Sequence, residues 1–186
     1  MALRRRSGVG IAALSVVASL ALAGPAFGAD QRLVKIQDDC EQVTFDAAVA
    51  PGTCVGDGRT TFEAFLQEFQ AQGSVDRWAF SRPEFNIDAG GTISLLNEGG
   101  ETHTFTKVPA FGNGCVGLLN DPPTPPEVPP VDPAVPCDEI VPIPAGKSTV
   151  VDPDDLTPGV NRFQCMIHPW MQSVVDVRVK NRGGRG

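Results

Sequence analysis

From Trp78 onward the chain is a succession of short segments rich in β-branched and aromatic residues, and this pattern restricts the fold more than any other feature. "RWAFS", "EFNID", "TISLLN", "ETHTFTKV", "KSTVVD", "VNRFQC" and "SVVDVRVK" follow one another, separated by turn residues such as "AGG", "NEGG", "PAG" and "TPG". In the last segment Val175, Val177 and Val179 alternate with Asp176, Arg178 and Lys180, which predicts one buried and one wet face. Earlier, "QRLVKIQDD" reads as a first strand with Val34 and Ile36 on one face. Strands of this length and spacing point to a mainly β chain folded as a sandwich or barrel. The length of 186 residues gives room for one such domain after any leader.

One helix interrupts the β pattern. "RTTFEAFLQEFQAQG" sets Phe62, Phe65, Leu66 and Phe69 at helical spacing, Thr60 with Glu63 reads as a capping box, and Gly73 stops it. Its aromatic stripe is a core-facing surface by amphipathicity. Residues 29–77, comprising the first strand, a cysteine loop and this helix, are expected to pack on a main domain of 78–180. Between Cys115 and Cys137 lies a run too dense in proline for a central strand, expected as a stiff surface excursion, and residues 181–186 read as a disordered tail.

At the N-terminus Arg4, Arg5 and Arg6 precede an apolar run from Val9 to Ala23, then Gly24-Pro25 and "AFGA". This is the layout of a secretory signal over 1–28, cut after Gly28. The other reading, a retained anchor, needs ~20 apolar residues, and this run is shorter and broken by Pro25. Export without stable membrane insertion is the expectation. The leader holds three of the 15 basic residues and none of the 22 acids, so 12 bases and 22 acids remain, a net charge of −10. Such a surface argues against nucleic acid and anionic membrane and would steer a cationic protein partner toward a monomer of this chain.

There are five cysteines: Cys40, Cys54, Cys115, Cys137 and Cys165. In an oxidising compartment neighbour pairing gives Cys40 with Cys54 and Cys115 with Cys137, although four cysteines allow three connectivities. Cys165 is left over, within "FQCMIHPWMQ", where His168 and Met171 follow at intervals of three. Strand parity puts Cys165 on the inward side with Phe163. The only other histidine, His103, alternates with Phe105 on an upstream strand. Singly, each residue reads as ordinary core: a hydrogen-bonded histidine, a packed methionine, an inert thiol. Together they are the donor set of a trigonal copper site with a weak axial thioether, whereas structural zinc prefers four strong ligands.

The loop "CMIHPWM", with the upstream "GGTISLLNEGGETHTFT", resembles that of the cupredoxins, most of all the amicyanin and plastocyanin type. The resemblance covers about Trp78 to Val179. It implies a Greek-key β-sandwich holding one type-1 copper ion through His103, Cys165, His168 and Met171, and single-electron transfer with a redox protein partner. It further implies that His168 reaches the surface as the electron port, through an apolar patch to which Pro169 and Trp170 contribute. One position departs from the family: many members have Asn directly after the upstream ligand histidine, where this chain has Thr104, whose hydroxyl is able to make an equivalent brace. An extracytoplasmic copper carrier or buffer is the alternative function, and an interaction module without metal a third. A copper enzyme is not expected, because a second copper centre needs further histidines and an open coordination position.

Overall fold

A computed structural model describes residues 30–120 and 133–179. The expected leader, most of the proline-rich run and the tail lie outside the described residues. Eight strands form: β1 (Gln31–Gln37), β2 (Ala79–Phe80), β3 (Glu84–Asp88), β4 (Thr92–Asn97), β5 (Thr106–Val108), β6 (Ser148–Val150), β7 (Gly159–Gln164) and β8 (Gln172–Arg178). They build two four-stranded sheets, in the orders β2-β1-β4-β6 and β3-β8-β7-β5. Each sheet is mixed, with β1 parallel to β4 and β3 parallel to β8 while the remaining pairs are antiparallel. The mainly β, two-sheet class follows the sequence pattern.

Period-2 alternation decides which residues fill the space between the sheets. Val34, Ile36, Ile93 and Leu95 of the first sheet are buried, as are Phe85, Ile87, Phe163, Val175 and Val177 of the second. Phe105 stacks on Phe163 at 4.5 Å between ring centroids and meets Phe80 edge-on at 4.9 Å. Val179 departs from the alternation. β8 ends at Arg178, paired with Asp88 at the end of β3, so Val179 has no neighbouring strand and is 61% exposed.

The segment ahead of Trp78 is woven into the sandwich: β1 lies between β2 and β4, its backbone paired with β4 from Gln31 to Ile36. The expected helix is present as α2 (Phe62–Gln72), capped at its C-terminus by Gly73 at φ 70°. Its N-cap is Thr61 rather than Thr60, and the Thr61 hydroxyl accepts the Ala64 N–H. Thr60 is engaged elsewhere: its backbone bridges to Cys40 and its hydroxyl donates to Asp39. Phe65 and Phe69 face the core, with Phe62 and Leu66 half-buried beside them.

A second helix, α1 (Gln42–Ala48), occupies what the sequence presents as a plain disulfide loop. Seven residues are too few to stand alone as a helix in water. Tertiary contacts hold it: the Glu41 side chain accepts the Val43 and Thr44 N–H groups, and Phe45 packs against Phe62, Phe65 and Trp78. The disulfide Cys40–Cys54 closes the segment, Cys115–Cys137 pairs the other neighbours, and Cys165 is free and buried.

Candidate metal centre

His103 is set by a turn that glycine makes possible. A side chain on Gly99 would collide with the Asp38 carboxylate, and one on Gly100 would meet the Cys40 sulfur at 2.6 Å. Buried Asn97 ties the turn: its amide donates to the carbonyls of Glu101 and Ile143, both at 2.8 Å, and its oxygen accepts the Gly99 N–H. His103 then exchanges backbone hydrogen bonds with Ile143 as an isolated bridge. The strand expected to carry it begins only at Thr106, because this turn and bridge take up the backbone before it.

Cys165 follows the last residue of β7, and the loop to β8 folds back on itself. The Cys165 N–H donates to the Met171 carbonyl at 3.0 Å and the Met171 N–H to the His168 carbonyl at 2.9 Å. The Thr104 hydroxyl accepts the Met166 N–H at 2.8 Å, so threonine supplies the brace that the sequence assigns to this position. From the other side, the Cys115 N–H donates to the Met166 carbonyl at 2.6 Å. The Gln164 amide meanwhile pairs with both backbone groups of Gly112.

Three of the four sequence-predicted donors converge. Cys165 Sγ lies 3.8 Å from His103 Nδ1 and 3.9 Å from His168 Nδ1, and the two Nδ1 atoms are 3.2 Å apart. Two nitrogens and a sulfur bound at about 2.0–2.3 Å to one ion stand roughly 3–4 Å from each other, so these donors fit a single metal. Met171 is buried at the end of the same loop, 1% exposed. The sulfur also receives two backbone N–H groups, from His168 at 3.4 Å and Thr104 at 3.5 Å. Burial pushes the Cys165 thiol up, but its hydrogen bonds with His103 and His168, and their charge, hold it well below the ordinary thiol value. A thiolate is the form that binds metal.

Behind each imidazole stands a buried carboxylate that the sequence does not single out. His103 Nε2 is 2.8 Å from Asp38 Oδ2. Burial pushes Asp38 up, yet the hydrogen bond and charge of His103 and the N–H groups of Glu101 and Gly100 prevail, leaving its pKa at about 2. Burial likewise pushes His103 down, while Asp38 and Cys165 together raise it to about 9. His168 Nε2 faces Glu101 Oε2 at 3.6 Å, and that oxygen accepts the Trp78 indole N–H at 2.6 Å. Burial raises the Glu101 carboxyl, with His168 and Trp78 drawing it partly back.

His168 is only 1% exposed, which corrects the expectation that its ring reaches the surface. The cause is α2: Phe65 meets the His168 ring edge-on at 6.3 Å, and Trp170, packed on Phe65 and Phe69, lies 5.4 Å away on another side. The aromatic stripe of the helix is core-facing, as its spacing predicts, and the core it faces includes this histidine. Trp170 is half-buried and, with Phe111, Leu119 and Pro169, lines a shallow surface hollow beside the loop. Asp38 and Glu101 escaped the sequence reading because they are two among 22 acids with no telling spacing.

Fold and centre together define a mainly β, two-sheet protein with a buried cysteine and two histidines whose donor atoms meet at one point. No family model matches the chain, and no curated protein matches it. Solved structures with a similar fold are cupredoxins. One is a purple cupredoxin from Nitrosopumilus maritimus, 12% identical with a TM-score of 0.40, the likeness covering 79% of this chain and 99% of that one. Another is plastocyanin from Dryopteris crassirhizoma, 16% identical with a TM-score of 0.35 over 78% of this chain and 99% of that one. Amicyanin from Paracoccus versutus is 14% identical with a TM-score of 0.33, over 56% and 77%. Likenesses this distant say nothing of function, and the donors themselves must carry it.

Proposed function

We propose that this chain is an exported type-1 copper protein that passes single electrons between redox partners, with His103, Cys165, His168 and Met171 as the ligands of one copper ion. The observation carrying this reading is the meeting of Cys165 Sγ with two imidazole Nδ1 atoms at 3.8 and 3.9 Å, all three residues buried. Copper bound there would supply a one-electron couple tuned by its soft sulfur donors. The chain's own contribution is rigidity. Thr104 and Cys115 pin Met166, the Cys165 and Met171 backbones close the loop, and Asp38 orients His103, so the donors are held with little freedom to rearrange. Backbone N–H groups on Cys165 Sγ stabilise its anionic form.

Burial of all three donors favours electron transfer over the carrier reading, since an ion handed to an acceptor needs a ligand that the acceptor can reach. With His168 covered, electrons leave through Trp170 and the hollow beside it, where a cationic redox protein would approach the acidic chain. The test is the absorption spectrum and voltammetry of the Cu(II) protein beside Cys165→Ser. An intense visible thiolate-to-copper band and a reversible one-electron wave are expected in the native protein and lost in the variant. Persistence of the same band in Cys165→Ser overturns the reading.

A further inference from the structure

We propose that Asp38 is a positioning residue of the copper centre: its carboxylate fixes His103 with the proton on Nε2 and Nδ1 turned to the metal, and its negative charge favours the oxidised ion. This rests on the copper reading above. Asp38 follows directly on β1, 65 residues before His103, and its side chain is 1% exposed. Every polar contact around it is a donor. Oδ1 accepts the N–H groups of Cys40 at 3.2 Å and Gly100 at 2.9 Å, and Oδ2 accepts the Glu101 N–H at 3.0 Å and His103 Nε2 at 2.8 Å.

A carboxylate surrounded in this way is anionic and immobile, and no lysine or arginine lies among these partners: once His103 gives its Nδ1 proton up to a metal, the carboxylate charge is left uncancelled, with the Glu101 carboxylate within 4.8 Å. Its neighbours explain the immobility: Gly99 leaves no side chain to compete for its space, and the Cys40–Cys54 disulfide anchors the chain two residues on. The opposite nitrogen of the His103 ring points at Cys165 Sγ and His168 Nδ1. An imidazole that donates through one nitrogen to a carboxylate is a more basic ligand through the other, and the more highly charged metal ion gains most from it. His168 has a looser arrangement, with Glu101 at 3.6 Å and that oxygen already accepting from Trp78. The two histidines are therefore unequal, and the firmly held one is upstream. The segment before Trp78 thereby contributes to the centre itself as well as to the sheet.

The experiment measures Cu(II) and Cu(I) affinities by chelator competition, and the reduction potential, in the native protein and Asp38→Asn. Removing such a partner costs roughly 10- to 100-fold in metal affinity. Borne mainly by Cu(II), that loss raises the one-electron potential by about 60–120 mV at 59 mV per tenfold. A merely structural Asp38 would lower the unfolding midpoint and leave the ratio of the two affinities within twofold, which overturns the inference while the blue copper reading stands. A native protein without the thiolate-to-copper band overturns both. Should Asp38→Asn fail to fold, nitrogen-15 NMR of the native Cu(I) protein decides. A slowly exchanging, downfield His103 Nε2–H with Nδ1 unprotonated supports the assignment, and a proton on Nδ1 or a freely exchanging Nε2–H overturns it.

Discussion

His103 answers to two partners at once, Asp38 on one nitrogen and Cys165 on the other, and its protonation follows from both. In the metal-free protein its pKa is raised from the ordinary 6.5 to about 9. A raised histidine stabilises the fold fully below 6.5, and that contribution is lost as pH rises through about 9. Asp38, lowered from 3.8 to about 2, contributes above 3.8 and loses its share as pH falls through about 2. The pair therefore supports the metal-free fold most between pH 3.8 and 6.5. Over pH 6.5 to about 9 the lowered Cys165 thiol acts in the opposite sense to His103, because the folded protein has given up a proton that the unfolded thiol keeps, so urea midpoints of the metal-free protein are expected to stay nearly level there. Below about 9 the imidazole proton must leave before a metal binds His103. Cu(II) affinity by chelator competition should thus weaken roughly tenfold per pH unit in that range, and a flat profile would contradict the assignment of His103 as a ligand.

At the scale of elements, α2 and the loop between β7 and β8 behave as one packed unit. Phe65 touches Phe45, Phe62, Trp78, Trp170 and His168, so it links both helices to the loop of residues 165–171. Phe65→Ala removes a buried ring, and such truncations cost about 3–5 kcal/mol. It also opens a path to His168. The expected outcome is a lower unfolding midpoint together with faster loss of Cu(I) to an added chelator. Unchanged release kinetics in a folded variant would mean that α2 supports the fold without shielding the centre. The helix was legible from Phe62, Phe65, Leu66 and Phe69 at helical spacing, but what those rings cover was not, because periodicity reports that a face is buried and never against what. α1 was not legible: its length is below what local propensity sustains, and Phe45 finds its partners only when α2 and Trp78 arrive.

For the whole molecule, charge governs encounter. With a net −10 after removal of the expected leader, association with a cationic electron acceptor should slow as salt is added, since screening shortens the reach of the field. Stopped-flow rates that do not change between low and physiological ionic strength would exclude electrostatic steering toward this chain. Among the described residues no helix is long and apolar enough to cross a membrane. The eight strands are all legible as segments, because β-branched and aromatic runs between turn residues mark each without reference to the others. Their assembly into two mixed sheets, with β1 inside the first, depends on pairings between residues some 60 apart. Sequence alone determined the mainly β class, the one cysteine of five left over from pairing and the identity of the candidate donors, because alternation, an odd cysteine count and the scarcity of histidine are properties of the chain itself. Only the tertiary structure decided that His168 is covered and that Asp38 and Glu101 stand behind the imidazoles. Those facts depend on which distant segments share a few ångströms of space, and nothing in the local pattern records it.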